Sequence, residues 1–347
     1  MRGWLLASPP DTNGRPLTPP ASHLVPAPGG LAMSQNRTPN AEEFHQPALA
    51  DEVIALLAPV IPGVVIDATF GGGGHSRRML DEFGDQVTVI GIDRDPAAVA
   101  NGATIGVPVV EANFTDLAEV VQQADVRPAA VLFDFGVSSH QLDEPERGFS
   151  YRRVGPLDMR MGPDARRTAS QIVNEWSIEE LTRIIREYGE ERQARRIARA
   201  ILEARPIATT GELADAIARA MPAARRRVGH PARRTFQAIR IAVNSELEAI
   251  ELGLDAAIDS VGVGGRVVAI SYHSLEDRIV KRRFARGAEG CTCPPDLPVC
   301  GCDNTTDLRI LTRKPIRASE EEVLANKRAR SALLRAVEKL DDGKLAA

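Results

Sequence analysis

The 347-residue chain lacks any apolar run of the ~18 to 20 residues that a membrane-spanning helix needs. Cysteine is scarce as well: there are four, all between Cys291 and Cys302, which is not the pattern of a secreted disulfide-bonded scaffold. The first apolar stretch is interrupted at Pro9, too early for the core of a signal peptide. These absences predict a cytoplasmic protein with no membrane partner.

An excess of positive charge is also missing, because the formal net charge is -4 at pH 7. The chain as a whole therefore shows no electrostatic preference for nucleic acid, and any RNA contact must come from a local basic patch. The hydrophobic fraction of 43% is enough for a sizeable core. The length suggests about two domains.

Residues 1–40 are rich in Pro, Gly, Ser and Thr and show no apolar period, so we expect a disordered extension. Met33 is an alternative translation start. Order is expected from Phe44 onward, beginning with helical spacing of apolar residues over 49–57.

Short apolar runs predict a parallel sheet. Residues 64–68, 87–92, 107–110 and 129–133 are predicted strands with helical segments between them. The next strand, 266–271, follows a stretch too long for a loop and rich in helical spacing. We therefore predict an α/β fold. It is a doubly wound, Rossmann-like sheet over residues 41–142 and 246–340, with an all-α domain inserted at 143–245.

The apolar spacing predicts individual helices as well. Those of the inserted domain fall at 172–185, 193–204 and 212–221, and a further helix at 245–258 leads back into the sheet. The chain is then expected to end with a strand at 308–311 and a basic helix beginning at Ser319.

A glycine cluster, Gly71–Gly74, follows the first strand, and Asp93 ends the second, where it can accept hydrogen bonds from ribose hydroxyls. Two cofactors fit this pattern, a nicotinamide dinucleotide and S-adenosylmethionine. The dinucleotide fingerprint G-x-G-x-x-G fails in both registers, because its third position is Ser76 or Arg77. Asp67 before the loop would repel a pyrophosphate but tolerate a sulfonium, which favours S-adenosylmethionine. A tight turn without a ligand is the remaining alternative.

The fourth strand ends at Asp134, beside the first strand in the expected order and near where a reactive methyl group would lie. Together with other segments it resembles the bacterial 16S ribosomal RNA cytosine-N4-methyltransferases over most of the chain, residues 44–339. The segments are DATFGGGGHS at 67–76, DFGVSS at 134–139 with QLD at 141–143, ERGFS at 146–150, GPLDMRM at 155–161, HPARRTFQAIR at 230–240 with VNSEL at 243–247, SYHSLEDRIVK at 271–281, and NKRARS at 326–331.

The resemblance implies transfer of a methyl group from S-adenosylmethionine to the exocyclic N4 of a cytidine in the decoding centre of 16S rRNA, the partner being the small ribosomal subunit. It also implies cofactor contacts at Gly73, Gly74, His75, Asp93, Phe114, Asp134 and Gln141. The chain departs from the family pattern in its four consecutive glycines, in Phe133 and Phe135 on either side of Asp134, and in His140. None of these departures removes a group that the chemistry needs.

Cytosine N4 is a poor nucleophile because its lone pair is delocalised into the ring, so a side chain that orients the amino group and accepts its proton would help. We expect Asp134, Ser138 and His273 to line the reaction centre, with Ser139 and Asp277 as alternatives. No base is assigned among them. A hydrogen-bonded structural role is the other interpretation of His273.

Clustered arginines in the inserted domain are candidates for phosphate contact, because the guanidinium group binds phosphate through two parallel hydrogen bonds. The expected RNA-binding cluster comprises Arg225, Arg226, Arg227, His230, Arg233, Arg234 and Arg240. Two further patches are left open between RNA contact and a solvated surface. They are Arg192, Arg195, Arg196 and Arg199, with Glu187, Glu190 and Glu191 as neutralising partners, and Lys327, Arg328, Arg330 and Arg335.

Four thiols within twelve residues, Cys291, Cys293, Cys300 and Cys302, could form a structural zinc site. Their C-x-C spacing is tighter than usual, so a reduced, metal-free loop is the alternative. The oligomeric state is open, with a dimer as one alternative. Two other functions are weighed: a non-enzymatic RNA-binding or ribosome-assembly factor that keeps the fold, and a nicotinamide-dependent oxidoreductase.

Overall fold

One seven-stranded sheet organises the part of the chain that the computed structural model describes, residues 47–222, 230–289 and 306–340. Its strands are Gly63–Asp67 (β1), Val87–Asp93 (β2), Val109–Glu111 (β3), Ala130–Asp134 (β4), Arg266–Ser271 (β5), Leu308–Ile310 (β6) and Leu333–Lys339 (β7). Their order across the sheet is β3-β2-β1-β4-β5-β7-β6. Strands β1 to β5 are parallel, and β7 runs antiparallel to both of its neighbours. The predicted doubly wound sheet is confirmed.

Helices connect and cover these strands. Those that precede the long helical segment are Ala50–Leu57 (α1), Gly74–Phe83 (α2), Pro96–Ile105 (α3), Leu117–Gln123 (α4) and Ser139–Asp143 (α5). Those of the segment between β4 and β5 are Ala169–Glu175 (α6), Ile178–Glu187 (α7), Ala194–Ala204 (α8), Thr210–Ala220 (α9), Arg233–Asn244 (α10) and Glu246–Ser260 (α11). The last two are Ser274–Ala288 (α12) and Glu320–Ala325 (α13). No helix among the described residues is long and apolar enough to cross a membrane.

Alternating side chains of the strands build a core on each face of the sheet, because successive residues of a strand point to opposite sides. Val65 and Leu132 face a cluster that includes α1 and Met79 of α2. Ile66 and Phe133, their neighbours along the chain, face the opposite cluster, which includes α4, α11 and α12. Complete burial of a side chain such as that of Phe133 contributes about 1.5–3 kcal/mol to folding.

The helical segment between β4 and β5 has a hydrophobic cluster of its own, which runs from Phe149 through α6 to α10 and ends at Val243. Its buried side chains are spaced as on the inner face of amphipathic helices, for example Ile197, Ala198 and Ile201 of α8. The described residues nevertheless belong to one compact unit that starts at Phe44. The domain boundaries at 142/143 and 245/246 therefore stay predictions.

The single helix predicted over 172–185 is wrong, because α6 ends at Glu175 and Trp176 is extended. Ser177 then starts α7 with a capping box: its hydroxyl accepts a hydrogen bond from the Glu180 amide, and the Glu180 carboxylate accepts one from the Ser177 amide. The Ser-x-x-Glu pattern that marks this start was present in the sequence.

The basic C-terminal helix predicted from Ser319 is also wrong. Helix α13 stops at Ala325, and Leu333–Lys339 forms β7, inserted between β5 and β6. Leu, Arg, Ala and Glu favour helix by intrinsic propensity, but here a free edge of β5 provides both hydrogen bonds and burial for Leu334 and Ala336. Tertiary pairing therefore outweighs local preference.

Candidate active site

Asp134, the last residue of β4, contacts residues from three other segments: the loop after β1, the start of α2 and the residue that follows β5. Its amide donates to the Thr69 hydroxyl at 2.5 Å, and its Oδ1 accepts a hydrogen bond from the Tyr272 hydroxyl at 2.8 Å. Its Oδ2 lies 3.5 Å from His75 Nε2, an ion-pair contact rather than a well-aligned hydrogen bond. The side chain remains 24% exposed, so a substrate can reach it.

His75 and Asp67 form the buried floor beneath this carboxylate. Asp67 ends β1 and its Oδ2 accepts a hydrogen bond from the Ser76 hydroxyl at 2.6 Å, while its Oδ1 has no hydrogen-bond partner among the described residues. Burial raises the pKa of Asp67, and the Ser76 hydrogen bond and the His75 charge offset this only in part. For His75, burial lowers the pKa, but contact with Asp134 and the charge of Asp67 outweigh it and the pKa is raised.

The glycine loop joins β1 to α2 in a conformation that larger residues cannot take. Gly71 and Gly73 have φ values of 52° and 71°, in the left-handed region. A Cβ at Gly73 would come within 2.4 Å of Ile105 and 2.7 Å of the Phe70 ring. The loop therefore packs closely against Phe70 and the end of α3, and α2 begins at Gly74.

Asp93, at the end of β2, holds the loop from the other side. Its Oδ2 accepts a hydrogen bond from the Gly71 amide at 2.7 Å, and its Oδ1 accepts one from the Asp95 amide at 2.9 Å. Burial raises the pKa of Asp93 to about 6, although these two amide donors oppose the shift. Three strand ends thus bring Asp67, Asp93 and Asp134 to one edge of the sheet, as predicted.

Gln141 and Ser138, both predicted site residues, hold each other in a capping box at the start of α5. The Ser138 hydroxyl accepts from the Gln141 amide, and Gln141 Oε1 accepts from the Ser138 amide. The Gln141 side-chain amide donates to Asp95 at 2.9 Å, and Arg147 pairs with the same carboxylate at 2.8 Å. Asp95 and Arg147 had no predicted role, and their contact joins positions 52 residues apart in the sequence, which no local pattern indicates.

Phe114, the predicted adenine neighbour, packs edge-on against Phe133 at 5.7 Å and Phe135 at 5.9 Å between ring centroids. It begins a short helical turn after β3. Next to this turn is a cavity of about 420 Å³, and its lining includes Asn113, Arg94 and Asp164. Asp164 belongs to the segment after β4 and pairs with Arg94 at 2.8 Å.

His273 is turned toward a different cluster from that of Asp134. It caps α12, and its Nε2 lies 3.0 Å from Glu276 Oε1. Glu276 also accepts hydrogen bonds from the backbone amides of Tyr272 and His273. This arrangement is the structural alternative considered for His273, whose catalytic role stays a prediction. Asp277 is paired with Arg335 at 2.7 Å, on the β7 side.

Tyr272, which the sequence reasoning gave no role, is the residue that joins β5 to Asp134. It directly follows the last residue of β5, and its ring is half-buried. Burial and the neighbouring Asp134 charge raise the pKa of its hydroxyl well above the ordinary value, so it stays protonated and donates. The position just after a parallel strand was the available signal, because such positions meet at one edge of the sheet.

The expected RNA-binding cluster is only partly exposed. Arg225, Arg226 and Arg227 lie outside the described residues, and Arg233 is exposed. His230 stacks on Tyr151 with 4.5 Å between ring centroids, and Arg234 lies 3.7 Å from Glu191. Arg240 is 15% exposed and donates two 2.8 Å hydrogen bonds to Glu246, so its guanidinium is engaged within the fold. Its contact with RNA stays a prediction.

The C-terminal basic patch is also neutralised in part. Arg328 pairs with Asp143 at 3.0 Å, and Arg335 is buried on β7 against Asp277. Arg335 therefore cannot contact RNA. Cys291, Cys293, Cys300 and Cys302 lie outside the described residues, and the zinc site stays a prediction.

A parallel sheet extended by an antiparallel β7, with a glycine loop after β1 and acids at the ends of β1, β2 and β4, defines a class I methyltransferase. The chain matches the model of the MraW methylase family over residues 42–340, and it belongs to that family.

Two relatives are named "Ribosomal RNA small subunit methyltransferase H". The relative from Heliobacterium mobile is 51% identical over 312 residues, which cover 86% of this chain and 100% of the relative. The relative from Symbiobacterium thermophilum is 53% identical over 310 residues, which cover 86% of this chain and 98% of the relative. The similarity thus extends over nearly the whole of both relatives.

Proposed function

We propose that this chain transfers a methyl group from S-adenosylmethionine to the exocyclic N4 of a cytidine in the decoding centre of 16S rRNA. Two relatives about half identical to it, and matched over nearly their full length, are named as small-subunit rRNA methyltransferases. The observation that carries the proposal is the Asp134 carboxylate, accessible at the end of β4 and fixed by Tyr272 and His75. The site of action is the cytoplasm, where small ribosomal subunits are the partner.

The residues present fit a cationic adenosine cofactor. Asp67 has a buried carboxylate oxygen without a partner among the described residues, and Asp134 and Asp93 bring two more carboxylates to the same edge of the sheet. Such a cluster favours a sulfonium and an ammonium group over a pyrophosphate. The glycine loop would hold the cofactor with Gly73, Gly74 and His75, and Phe114 and Gln141 would complete its surroundings.

Asp93 is the candidate for the ribose. Its two oxygens already accept one backbone hydrogen bond each, and every carboxylate oxygen has a further lone pair. The cavity after β3, lined by Arg94, Asn113 and Asp164 among others, provides space beside it. When bound, the cofactor supplies an electrophilic methyl group.

Asp134 would act on the methyl acceptor. Each of its oxygens keeps a free lone pair, so one can accept a hydrogen bond from the cytosine amino group. This bond would orient the amino group so that the nitrogen lone pair is less conjugated with the ring and more available to the methyl group. The same carboxylate can take the proton that the amino nitrogen loses. The Tyr272 hydroxyl and His75 hold it in one orientation, which reduces the entropy lost on reaching a reactive geometry.

Ser138 and His273 would support this centre as capping residues of α5 and α12, since both side chains bond to their own helix starts. The target base lies in folded RNA, so it must be splayed out to reach Asp134.

The direct test is transfer of labelled methyl groups to small ribosomal subunits that lack the modification, followed by nucleoside analysis. We expect label in N4-methylcytidine with the wild-type chain and a loss of about 10²-fold or more with Asp134→Ala. Cofactor binding without transfer to any rRNA would refute the proposal and favour an assembly factor that keeps the fold. Label in a different nucleoside would refute the assignment to cytidine N4.

A further inference from the structure

Four exposed arginines, Arg192, Arg195, Arg196 and Arg199, form a basic surface on and just before α8. We infer that this arginine face binds the phosphate backbone of the rRNA substrate and aligns the strand that enters the site. The inference rests on the proposed function, and it assigns RNA contact to a different surface from Arg234 and Arg240.

The amphipathic pattern of α8 fixes where the charges point. Ala194, Ile197, Ala198 and Ile201 are buried against the helical segment. The intervening arginines, together with Arg192 just before the helix, are exposed. The eleven residues of α8 extend over about 16 Å, which is long enough for several consecutive phosphates.

These four arginines are not neutralised within the described residues, where none makes an ion pair or a side-chain hydrogen bond. The acids expected to partner them are engaged elsewhere. Glu187 lies 3.5 Å from Arg183, Glu190 pairs with Arg278 at 3.0 Å, and Glu191 lies buried near Arg234. A cluster of four uncompensated positive charges in a chain of net charge -4 is an electrostatic attraction site for a polyanion.

A shallow groove extends the arginine face toward α7. The groove has a volume of about 240 Å³, and Arg195, Arg183 and Arg186 outnumber Glu179 and Glu187 in its lining. Phosphate groups rather than bases fit such a surface, because it offers guanidinium donors and few apolar side chains.

The corner between α7 and α8 connects this face to the reaction centre. Glu190 accepts hydrogen bonds from the Ser274 hydroxyl and from Arg278, both in the first turns of α12. That helix starts two residues after Tyr272, whose hydroxyl binds Asp134. The N-terminal end of the arginine face is therefore connected, through Glu190 and the first turns of α12, to the segment that holds Asp134. On this inference, RNA bound along α8 presents a base to Asp134.

The test compares two triple variants of the full chain. Arg195→Gln, Arg196→Gln and Arg199→Gln together remove three charges from the arginine face. Lys281→Gln, Arg282→Gln and Arg286→Gln together remove three charges from an exposed stretch of α12, which makes them the matched control. Small ribosomal subunits lacking the modification and protein-free 16S rRNA are the probes, and both binding and methyl transfer are measured over a range of salt concentrations.

We expect the α8 variant to bind subunits and free rRNA about tenfold or more weakly. The slope of log affinity against log salt should fall in magnitude by about two to three. The KM for subunits should rise while kcat at saturation and S-adenosylmethionine affinity stay unchanged, because Asp134 is untouched. The α12 variant should behave as the wild type.

Three results would overturn the inference: unchanged binding by the α8 variant, an equal loss in the α12 variant, or weaker binding to subunits with unchanged binding to free 16S rRNA. The last result would identify a ribosomal protein as the partner of this face. Failure of the proposed function is distinguishable, since in that case the wild-type chain itself transfers no methyl group to subunits.

Discussion

The Tyr272 hydroxyl donates a 2.8 Å hydrogen bond to Oδ1 of Asp134 and thereby joins the ends of the neighbouring strands β4 and β5. The Asp134 carboxylate is thus held from the β5 side by a neutral donor and from the α2 side by His75. Because the hydroxyl stays protonated, its contribution does not depend on pH in the neutral range. This contact assigns Tyr272 a positioning role for the proposed acceptor of the amino proton.

Tyr272→Phe should lower kcat about threefold to tenfold, since a lost hydrogen bond of about 1 kcal/mol leaves the carboxylate with His75 as its remaining side-chain contact. The KM for subunits and the S-adenosylmethionine affinity should change little. Single-turnover methyl transfer measures the effect. Tyr188→Phe, which removes the same hydroxyl from a half-buried ring after α7, is the matched control. A Tyr272→Phe enzyme with wild-type kcat would show that Asp134 needs no donor from the β5 side.

Asp93 should make cofactor affinity depend on pH, because its pKa is raised to about 6 and only the ionised carboxylate accepts two ribose hydrogen bonds. S-adenosylmethionine affinity is expected to fall as pH drops below about 6. Asp93→Asn should bind more weakly and lose this dependence. Calorimetry between pH 5 and 8 gives the comparison, with the exposed Asp85→Asn as control. A persistent pH profile in Asp93→Asn would assign the titration to another group.

The same raised pKa affects folding with a defined sign. The folded chain binds the Asp93 proton more tightly than the unfolded chain, so the contribution of this residue to stability falls as pH rises from 3.8 to about 6. The unfolding free energy of the wild type minus that of Asp93→Asn should therefore decrease as pH rises over that interval. A constant difference would mean that Asp93 has an ordinary pKa in the folded chain.

Arg240 should behave as a structural residue rather than an RNA contact. Its guanidinium and the Glu246 carboxylate are both largely buried, so Arg240→Ala leaves an uncompensated charge and should cost about 3–5 kcal/mol in urea unfolding. Arg233→Ala, an exposed change on the same helix, should stay within about 0.5 kcal/mol of the wild type. Combining Arg240→Met with Glu246→Leu should recover most of the loss. A small cost for Arg240→Ala alone would show that the pair is solvated.

Local signals in the sequence were sufficient for the parallel strands β1 to β5 and for the acids at their ends. Asp67, Asp93 and Asp134 each follow a short apolar run, and parallel strands place such ends together. The partner of Arg240 was not predictable in this way. Ser245, with φ 49°, interrupts the helix between α10 and α11, and Glu246 just after it pairs with the arginine. The bond from Tyr272 to Asp134 spans 138 residues, and β7 contradicts its own helix propensity, so both required tertiary structure.

Gly73 should be the least replaceable position of the glycine loop. Its φ of 71° is costly for any residue with a Cβ, and a Cβ there would also approach Ile105 at 2.4 Å and Phe70 at 2.7 Å. Gly106, the C-cap of α3, has nearly the same conformation, with φ 73° and ψ 21° against φ 71° and ψ 17° at Gly73, but nothing lies within 4 Å of an added Cβ. Gly106→Ala therefore isolates the backbone cost.

We expect Gly106→Ala to cost about 1–2 kcal/mol in unfolding free energy and to leave S-adenosylmethionine affinity unchanged. Gly73→Ala should cost more than that, because Phe70 or Ile105 must shift as well, and it should weaken cofactor binding by about tenfold or more as the loop moves away from Asp93. Equal effects of the two variants on stability and on binding would show that crowding at Gly73 is unimportant. In that case only the left-handed conformation, and not close packing against Phe70 and Ile105, would explain the glycine.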